Sequence, residues 1–297
     1  MKEIKIGAII PTFNRKDSLK RCLQCLKAQV QGTTPWTLVV IAVVDGSKDG
    51  TLEMLEKEFP EVEIVQGDGS WWYTKSINEG VKRAQSLHCN FVLTLNDDLT
   101  FKPDYISVIF RDHLASGEDS VIGSVSLTSG EPRLITFSGV RQINFLLKEY
   151  NYVPKFSSVR EEEISGLKPS VVLSGRGILY PMEIFHRFGL YDEKLVQYSS
   201  ETDYTYNASK NGFKVMISFN AKVYEDVKLT SSGAVYNNPT AKSLFKSFKN
   251  KYSINSLHKI YYYSVKHRGG VGGFIITGVR VMGIIKNFVK VKIKNKA

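Results

Sequence analysis

Acid is absent from the last quarter of this chain. Residues 227 to 297 hold 14 Lys/Arg and no Asp or Glu, whereas residues 1 to 226 hold 26 Lys/Arg against all 29 Asp/Glu. The body is therefore close to neutral at −3 and the tail carries +14, which excludes a charge-balanced tail surface and points to an anionic partner for it. Cysteine is scarce as well. Cys22, Cys25 and Cys89 cannot form a fully paired set, so a disulfide scaffold is excluded. The start MKEIKIGAII runs directly into a strand pattern with no signal-peptide pattern, and the expected compartment is a reducing cytoplasm. Cys22 and Cys25 form a CxxC inside a helical pattern with no second Cys/His pair following, which favours helix packing over zinc or redox chemistry. No GxGxxG follows the first strand, which disfavours a redox dinucleotide fold. Nor is there an apolar run of the roughly 20 residues a bilayer span needs; the longest candidate, Gly270 to Ile285, is broken by Arg280.

What is present is an alternation of strands and helices. Ile4 to Ile10 is an apolar strand ending at Pro11. Thr12 to Arg15 form a loop, and Asp17 or Ser18 caps a helix with Leu19, Cys22, Leu23 and Leu26 on its apolar face. Thr37 to Val44 is nearly continuously apolar, as in a strand covered on both faces, and Asp45 follows it, ahead of Asp49 or Thr51 as the next helix cap and so free for a ligand. A third strand, Glu61 to Gln66, leads to Gly67-Asp68-Gly69-Ser70-Trp71-Trp72-Tyr73. Three adjacent aromatics in a glycine-bearing polar loop either plug the sheet or wall a sugar or base ring. A helix over Lys75 to Gln85 then precedes the strand at Phe91.

That fourth strand, Phe91 to Leu95, ends in Asn96-Asp97-Asp98. A polar turn is one reading, since Asn and Asp are ordinary turn residues and Pro103 opens a helix well. The other is chemical: adjacent carboxylates repel unless a cation holds them, and a hard divalent ion carried in on a diphosphate suits the C-terminal end of a parallel strand.

The order PTFNR, VVDGSKDGT, an NEG helix and LNDD, then Leu173 to Leu179, FGLYDE, SETDY and KNGF, resembles the family 2 glycosyltransferases over roughly residues 4 to 226. The GDGSWWYT loop paired with SETDY is similar to a bacterial subgroup tied to cell-surface polysaccharide assembly. The resemblance implies an α/β GT-A fold, a doubly wound, mostly parallel sheet flanked by helices, in a domain over 1–238 with a nucleotide-sugar half at 1–104 and an acceptor-side half at 105–238. It implies a donor site lined by Pro11, Thr12, Asn14, Arg15, Asp45, Asp68, Trp72, Lys75, Asn96 and Asp97. Thr12 and Asn14 would face the nucleotide and Asp45 its base or ribose. Asp98, as the last member of the family's DxD, would hold Mn²⁺ or Mg²⁺. Glu225 stands where many relatives carry a metal-shell His; it would substitute as an oxygen ligand or sit on the surface. Where relatives have Glu-Asp, this chain has Ser200-Glu201. Glu201 therefore takes the base position, with Asp203 as its competitor or as a structural or acceptor-orienting residue.

Residues 114 to 172 say less: strands near Ser120 to Leu127 and Leu134 to Val140, and a polar, mobile loop over Ser157 to Lys168. In the tail, 239–297, basic residues alternate with Phe245, Phe248, Tyr252 and Tyr261 to Tyr263. This reads as one or two amphipathic helices lying on an anionic inner leaflet, each basic residue adding about 1 kcal/mol. No nucleic-acid motif accompanies the charge, so no nucleic acid is expected. The implied enzyme is a metal-dependent inverting transferase with a nucleotide-diphosphate sugar as donor and a lipid-linked or oligosaccharide acceptor, peripheral on the inner membrane face; a homo-oligomer is compatible with this. The competing reading is a degenerate sugar-nucleotide-binding scaffold, suggested by Asn96, Ser200 and the missing His.

Overall fold

The computed structural model describes residues 4–226 and 240–294. The nucleotide half alternates as its pattern requires: β1 (Lys5–Thr12), α1 (Lys16–Lys27), β2 (Thr37–Asp45), α2 (Thr51–Glu58), β3 (Glu63–Gly67), α3 (Trp72–Ser86) and β4 (Phe91–Thr94). β1 lies between β2 and β4, and β2 continues to β3, all in parallel. Because strand side chains alternate faces, Ile6, Ala8 and Ile10 of β1 join Leu19 and Leu23 of α1 in one apolar layer. Ile9 meets Ile77 and Val81 of α3 in the other. This order, with helices on both faces, is the doubly wound arrangement read from the sequence.

The second half turns the sheet antiparallel and back. After β5 (Leu99–Thr100) and α4 (Tyr105–Ser116) come β6 (Ser120–Thr128), β7 (Ile135–Phe137), β8 (Val140–Ile143), β9 (Glu149–Asn151), β10 (Leu167–Pro169), β11 (Ile178–Pro181), α5 (Glu183–Phe188), α6 (Ser200–Lys210) and β12 (Lys214–Glu225). β11 inserts antiparallel between β4 and β6, β12 runs parallel to β6, and β5 pairs antiparallel with the end of β12. The expected strand over Leu134 to Val140 is split, because Gly139 takes a positive φ of 76° and starts the separate β8–β9 ribbon. The expected mobile loop, Ser157 to Lys168, is tied down. Leu134 bridges Ser158, Glu161 meets Lys102 at 2.8 Å and Arg133 at 3.5 Å, and β10 pairs with β12.

Two tail helices follow, α7 (Ala241–Lys249) and α8 (Leu257–Lys294); the expected boundary at 238/239 lies outside the described residues. Thr240 and Ser243 cap α7 reciprocally, each side chain serving the other's backbone amide. α8 is interrupted at Gly269, whose φ of 72° and ψ of 177° are not helical. Its side chains do not all face outward as a simple membrane-surface helix would have them: Tyr263 and Ile276 belong to the main apolar core.

Candidate active site

The donor side is built at the C-terminal ends of β1, β2 and β4. Asn14 ties two loops together, its backbone N–H donating to Ser47 Oγ at 3.0 Å and its Oδ1 accepting from Lys48 N–H at 2.7 Å. The sequence presents Asp45 as free for a ligand; in the structure its carboxylate is claimed by three backbone amides. Oδ1 accepts from Gly69 at 2.8 Å, and Oδ2 from Trp71 at 3.0 Å and Trp72 at 2.9 Å. Asp45 thus fixes the aromatic loop, and the three aromatics part company there. Trp71 packs on the core with Lys75 Nζ over its ring at 5.0 Å. Trp72 is exposed and stacks on Tyr252 of the tail at 3.9 Å, and Tyr73 points inward with its hydroxyl buried and unpartnered. Asp68 is exposed and engaged with Ser70 at 2.6 Å through the two side chains.

The Asn96-Asp97-Asp98 turn is a charged centre. Thr12 Oγ1 donates to Asp97 Oδ2 at 2.8 Å, and one nitrogen of Arg15 reaches Asp97 Oδ1 at 3.1 Å and Asp98 Oδ2 at 3.0 Å. Burial pushes the Asp97 carboxyl up to about 6, against the pull of Arg15 and Thr12. The sequence ends the first strand at Pro11, but Pro11 is paired with Val43 and the strand runs on to Thr12, paired with Val44; the Asn96 carbonyl accepts from Cys22 Sγ at 3.7 Å. Asp98 immediately precedes β5, and Glu225 pairs in register with Leu99. Glu225 therefore lies beside the stretch of backbone where Asp98 leads into β5. Glu225 Oε2 is paired with Arg176 at 3.0 Å, while Asp98 Oδ1 and Glu225 Oε1 are buried with no hydrogen-bond partner. A buried acceptor left unmade costs on the order of 1–3 kcal/mol, more when charged, and unpartnered buried carboxylate oxygens are the kind of ligand a hard cation takes. Among the described residues no group of three or more His, Cys, Asp and Glu converges, so the remainder of such an ion's shell would come from a diphosphate and water.

Opposite this centre, the Ser174 to Gly177 loop follows β4 closely, Gly177 N–H donating to Thr94 O at 3.1 Å. Gly175 is required by contact: a Cβ there would meet the Tyr73 hydroxyl at 2.3 Å. Its amide hydrogen-bonds Glu201, and Ser200 Oγ donates to Glu201 Oε2 at 3.3 Å. Burial pushes the Glu201 carboxyl above the ordinary glutamate range, with its own amide, Gly175, Ser200 and Arg176 pulling the other way. A carboxylate poised upward is a better proton acceptor near neutrality.

Asp203 looks elsewhere. It is buried, and its carboxylate accepts from Lys266 Nζ at 2.7 Å and His267 Nε2 at 2.9 Å. The loop therefore gathers Glu201, Glu225 and the Asp98 end of β5, while Asp203 belongs to the tail contact. Sequence reasoning did not select Tyr73, Arg176, Lys266 or His267. Arg176 and Tyr73 lie in motifs that the sequence marks and were within reach; Lys266 and His267 carry no signal short of the fold.

The model of a family described as glycosyl transferase family 2 matches residues 8–167. A curated relative, "Glycosyltransferase GlyA" of Streptococcus pneumoniae serotype 4, is 23% identical over 188 residues, which is 62% of this chain and 25% of the relative. This chain thus spans about a quarter of that protein's length. Among solved structures, GalNAc-T7 with UDP, GalNAc and Mn²⁺ superposes with a TM-score of 0.61 at 13% identity, covering 91% of this chain and 52% of that one. S. aureus TarS 1-349 gives 0.54 at 18% identity over 88% of this chain and 70% of that one. These two likenesses bear on the fold. Since the family model covers more than half of the residues, this chain belongs to glycosyl transferase family 2.

Proposed function

We propose that the chain is an inverting, divalent-metal-dependent transferase moving a sugar from a nucleoside diphosphate sugar to a hydroxyl of a lipid-linked saccharide in cell-surface polysaccharide assembly. The observation that carries this reading is the pair of buried, unpartnered carboxylate oxygens on Asp98 and Glu225. An ion held there would offset the negative charge that grows on the departing diphosphate. The protein's own residues do the rest. Glu201 accepts the proton of the attacking hydroxyl as the new bond forms at the anomeric carbon, and the nucleoside diphosphate leaves with the electron pair of the old bond. Attack from the opposite face inverts the configuration. Thr12 and Arg15 keep Asp97 and Asp98 in place, and Asp45 holds the loop that brings Tyr73 beside Glu201.

The tail supports a peripheral seat on an anionic bilayer. No helix among the described residues is long and apolar enough to cross a membrane. Beyond Gly269, however, α8 exposes Val271, Phe274, Ile275, Met282 and Ile293, and the exposed Phe145 at the β8–β9 tip would lie 3.6 Å from a Cβ on Gly272. An apolar stripe on a helix rich in Lys and devoid of acid suits an anionic leaflet.

UDP is the first probe, because it is bound in the GalNAc-T7 and TarS structures. UDP-, GDP- and dTDP-sugars are compared by thermal shift with and without Mn²⁺, followed by hydrolysis of whichever sugar nucleotide binds. The reading expects a Mn²⁺-dependent rise in melting temperature that Asp98→Ala removes while the fold persists. Unchanged Mn²⁺-dependent affinity in that variant refutes the metal assignment. Binding without turnover in the parent favours a scaffold.

A further inference from the structure

α6 carries both Glu201 and Asp203, and in a helix two residues apart they lie about 200° around the axis from each other. Glu201 faces the Gly175 loop and Asp203 faces α8. On the core side the helix is pinned by Thr205, which accepts from Leu173 N–H at 3.0 Å, and by Tyr204, whose hydroxyl donates to Gly189 O at 2.8 Å. On the tail side the hold is ionic. Lys266 Nζ bridges Asp203 and Asp192 at 2.7 Å each, and His267 Nε2 meets the second oxygen of Asp203 at 2.9 Å. Asp203 and His267 side chains are 5% and 6% exposed, so the bond between them is shielded from water, whereas Lys266 at 34% and Asp192 at 22% are partly exposed and their pair is the weaker hold. Asp192 opens the loop into α6, and that loop is also tied to the donor side, Thr74 N–H donating to Val196 O at 3.0 Å.

We propose that Lys266 and His267 are positioning residues for the transfer. By holding Asp203 they fix the rotation of α6 and hence the direction of Glu201, and by holding Asp192 they fix the loop that enters α6. The tail is then part of the active site's support as well as a surface. This rests on the reading of Glu201 as the base.

The test uses the full chain. Lys266→Met with His267→Leu leaves a buried carboxylate unpaired and is expected to lower the melting temperature. Adding Asp203→Asn removes that charge and restores it, with UDP affinity in Mn²⁺ unchanged. Turnover of the UDP-sugar found by the panel stays down about tenfold or more, in kcat with KM for the donor held, because a displaced base loses rate while donor binding does not change. His267→Gln, which keeps a nitrogen donor at that reach, stays within about threefold of the parent. Amide exchange over residues 196–205 is expected to quicken in the triple variant. Parent-level turnover in the stable triple variant overturns the proposal, as does unchanged exchange in that segment. If the parent itself turns over no sugar nucleotide, the reading of the reaction falls, and the exchange measurement still decides the clamp.

Discussion

The two ends of the active site are closed by different parts of the chain. Asp97 and Asp98 are held by Thr12, the last residue of β1, and Arg15, in the loop that follows, and both partners fall inside the segment matched by the family model. At the acceptor end Asp203 is held by Lys266 and His267, from a helix that follows the transferase sheet and lies outside that segment. The hold on Asp97 and Asp98 is thus supplied from within the doubly wound half. The hold on Asp203 exists only with α8 docked, so a tail that composition assigns to a membrane also contacts the body of the protein.

The sharpest way to break this contrast is at α6, where Glu201 is the proposed base and Asp203 is held by the tail. Glu201→Gln is expected to keep donor binding and lose about 10²–10⁴ in transfer rate, as removal of a general base does. Asp203→Asn, which keeps a side-chain oxygen for Lys266 or His267, is expected to cost mainly stability or acceptor affinity and no more than about tenfold in rate. Steady-state kinetics beside UDP titration separates the two, and a dead Asp203→Asn with an active Glu201→Gln reverses the roles.

The outer half of α8 sharpens the comparison from the other side, since its apolar stripe is exposed. Phe274→Glu with Met282→Glu is expected to weaken binding to anionic vesicles about tenfold or more, each change placing charge where apolar surface is buried. Melting temperature should hold. Vesicle sedimentation across a salt series checks it, and equal sedimentation of variant and parent refutes the membrane seat.

A smaller effect belongs to Asp45. With three amides on one carboxylate, Asp45→Ala is expected to destabilise the fold by about 2 kcal/mol, because the amides it served must find water or go unpaired. Urea unfolding reads that loss. A variant of parent stability that loses only UDP affinity returns Asp45 to the direct ligand role the sequence suggested.

Asp45 also marks where legibility stopped. The alternation of apolar strands and amphipathic helices placed β1 to β4 within a few residues, because a sheet buried on both faces leaves continuous apolar runs. The order of motifs pointed to the family, and the neighbourhood of Asn96 to Asp98 was marked as charged. What sequence could not say is which atom an acid serves. Asp45 has the spacing of a ligand residue, yet it binds a loop through backbone amides, which carry no side-chain signature. Ser157 to Lys168 reads as a mobile polar loop because the partners of Glu161, Lys102 and Arg133, are contributed by other elements. The tail reads as one or two surface-lying amphipathic helices because periodicity does not reveal that Tyr263 and Ile276 complete a core formed by the transferase sheet.

The mildest prediction tests the docked part of the tail at Lys259, which is 8% exposed, with its ammonium on the Ile254 carbonyl at 2.6 Å and over the Tyr198 ring at 5.2 Å. Burial, then the nearby Arg280, pushes its pKa down to about 8 from an ordinary 10.5, with Glu201 opposing. The unfolded chain then holds a proton that the folded chain releases between those values, so stability rises with pH across that window. The contribution is fully present above about 10.5 and is lost as pH falls through about 8. At pH 7 the folded chain carries a charge that its surroundings disfavour. Lys259→Met keeps the apolar stem and removes that charge, and it is expected to raise stability at pH 7 by about 1 kcal/mol, the lost hydrogen bond offsetting part of the gain. It should also flatten the rise between pH 8 and 10. Urea midpoints measured from pH 7 to 10 on both proteins decide it, and parallel pH profiles mean that Lys259 is not buried as a charge and that this part of α8 is not docked as described.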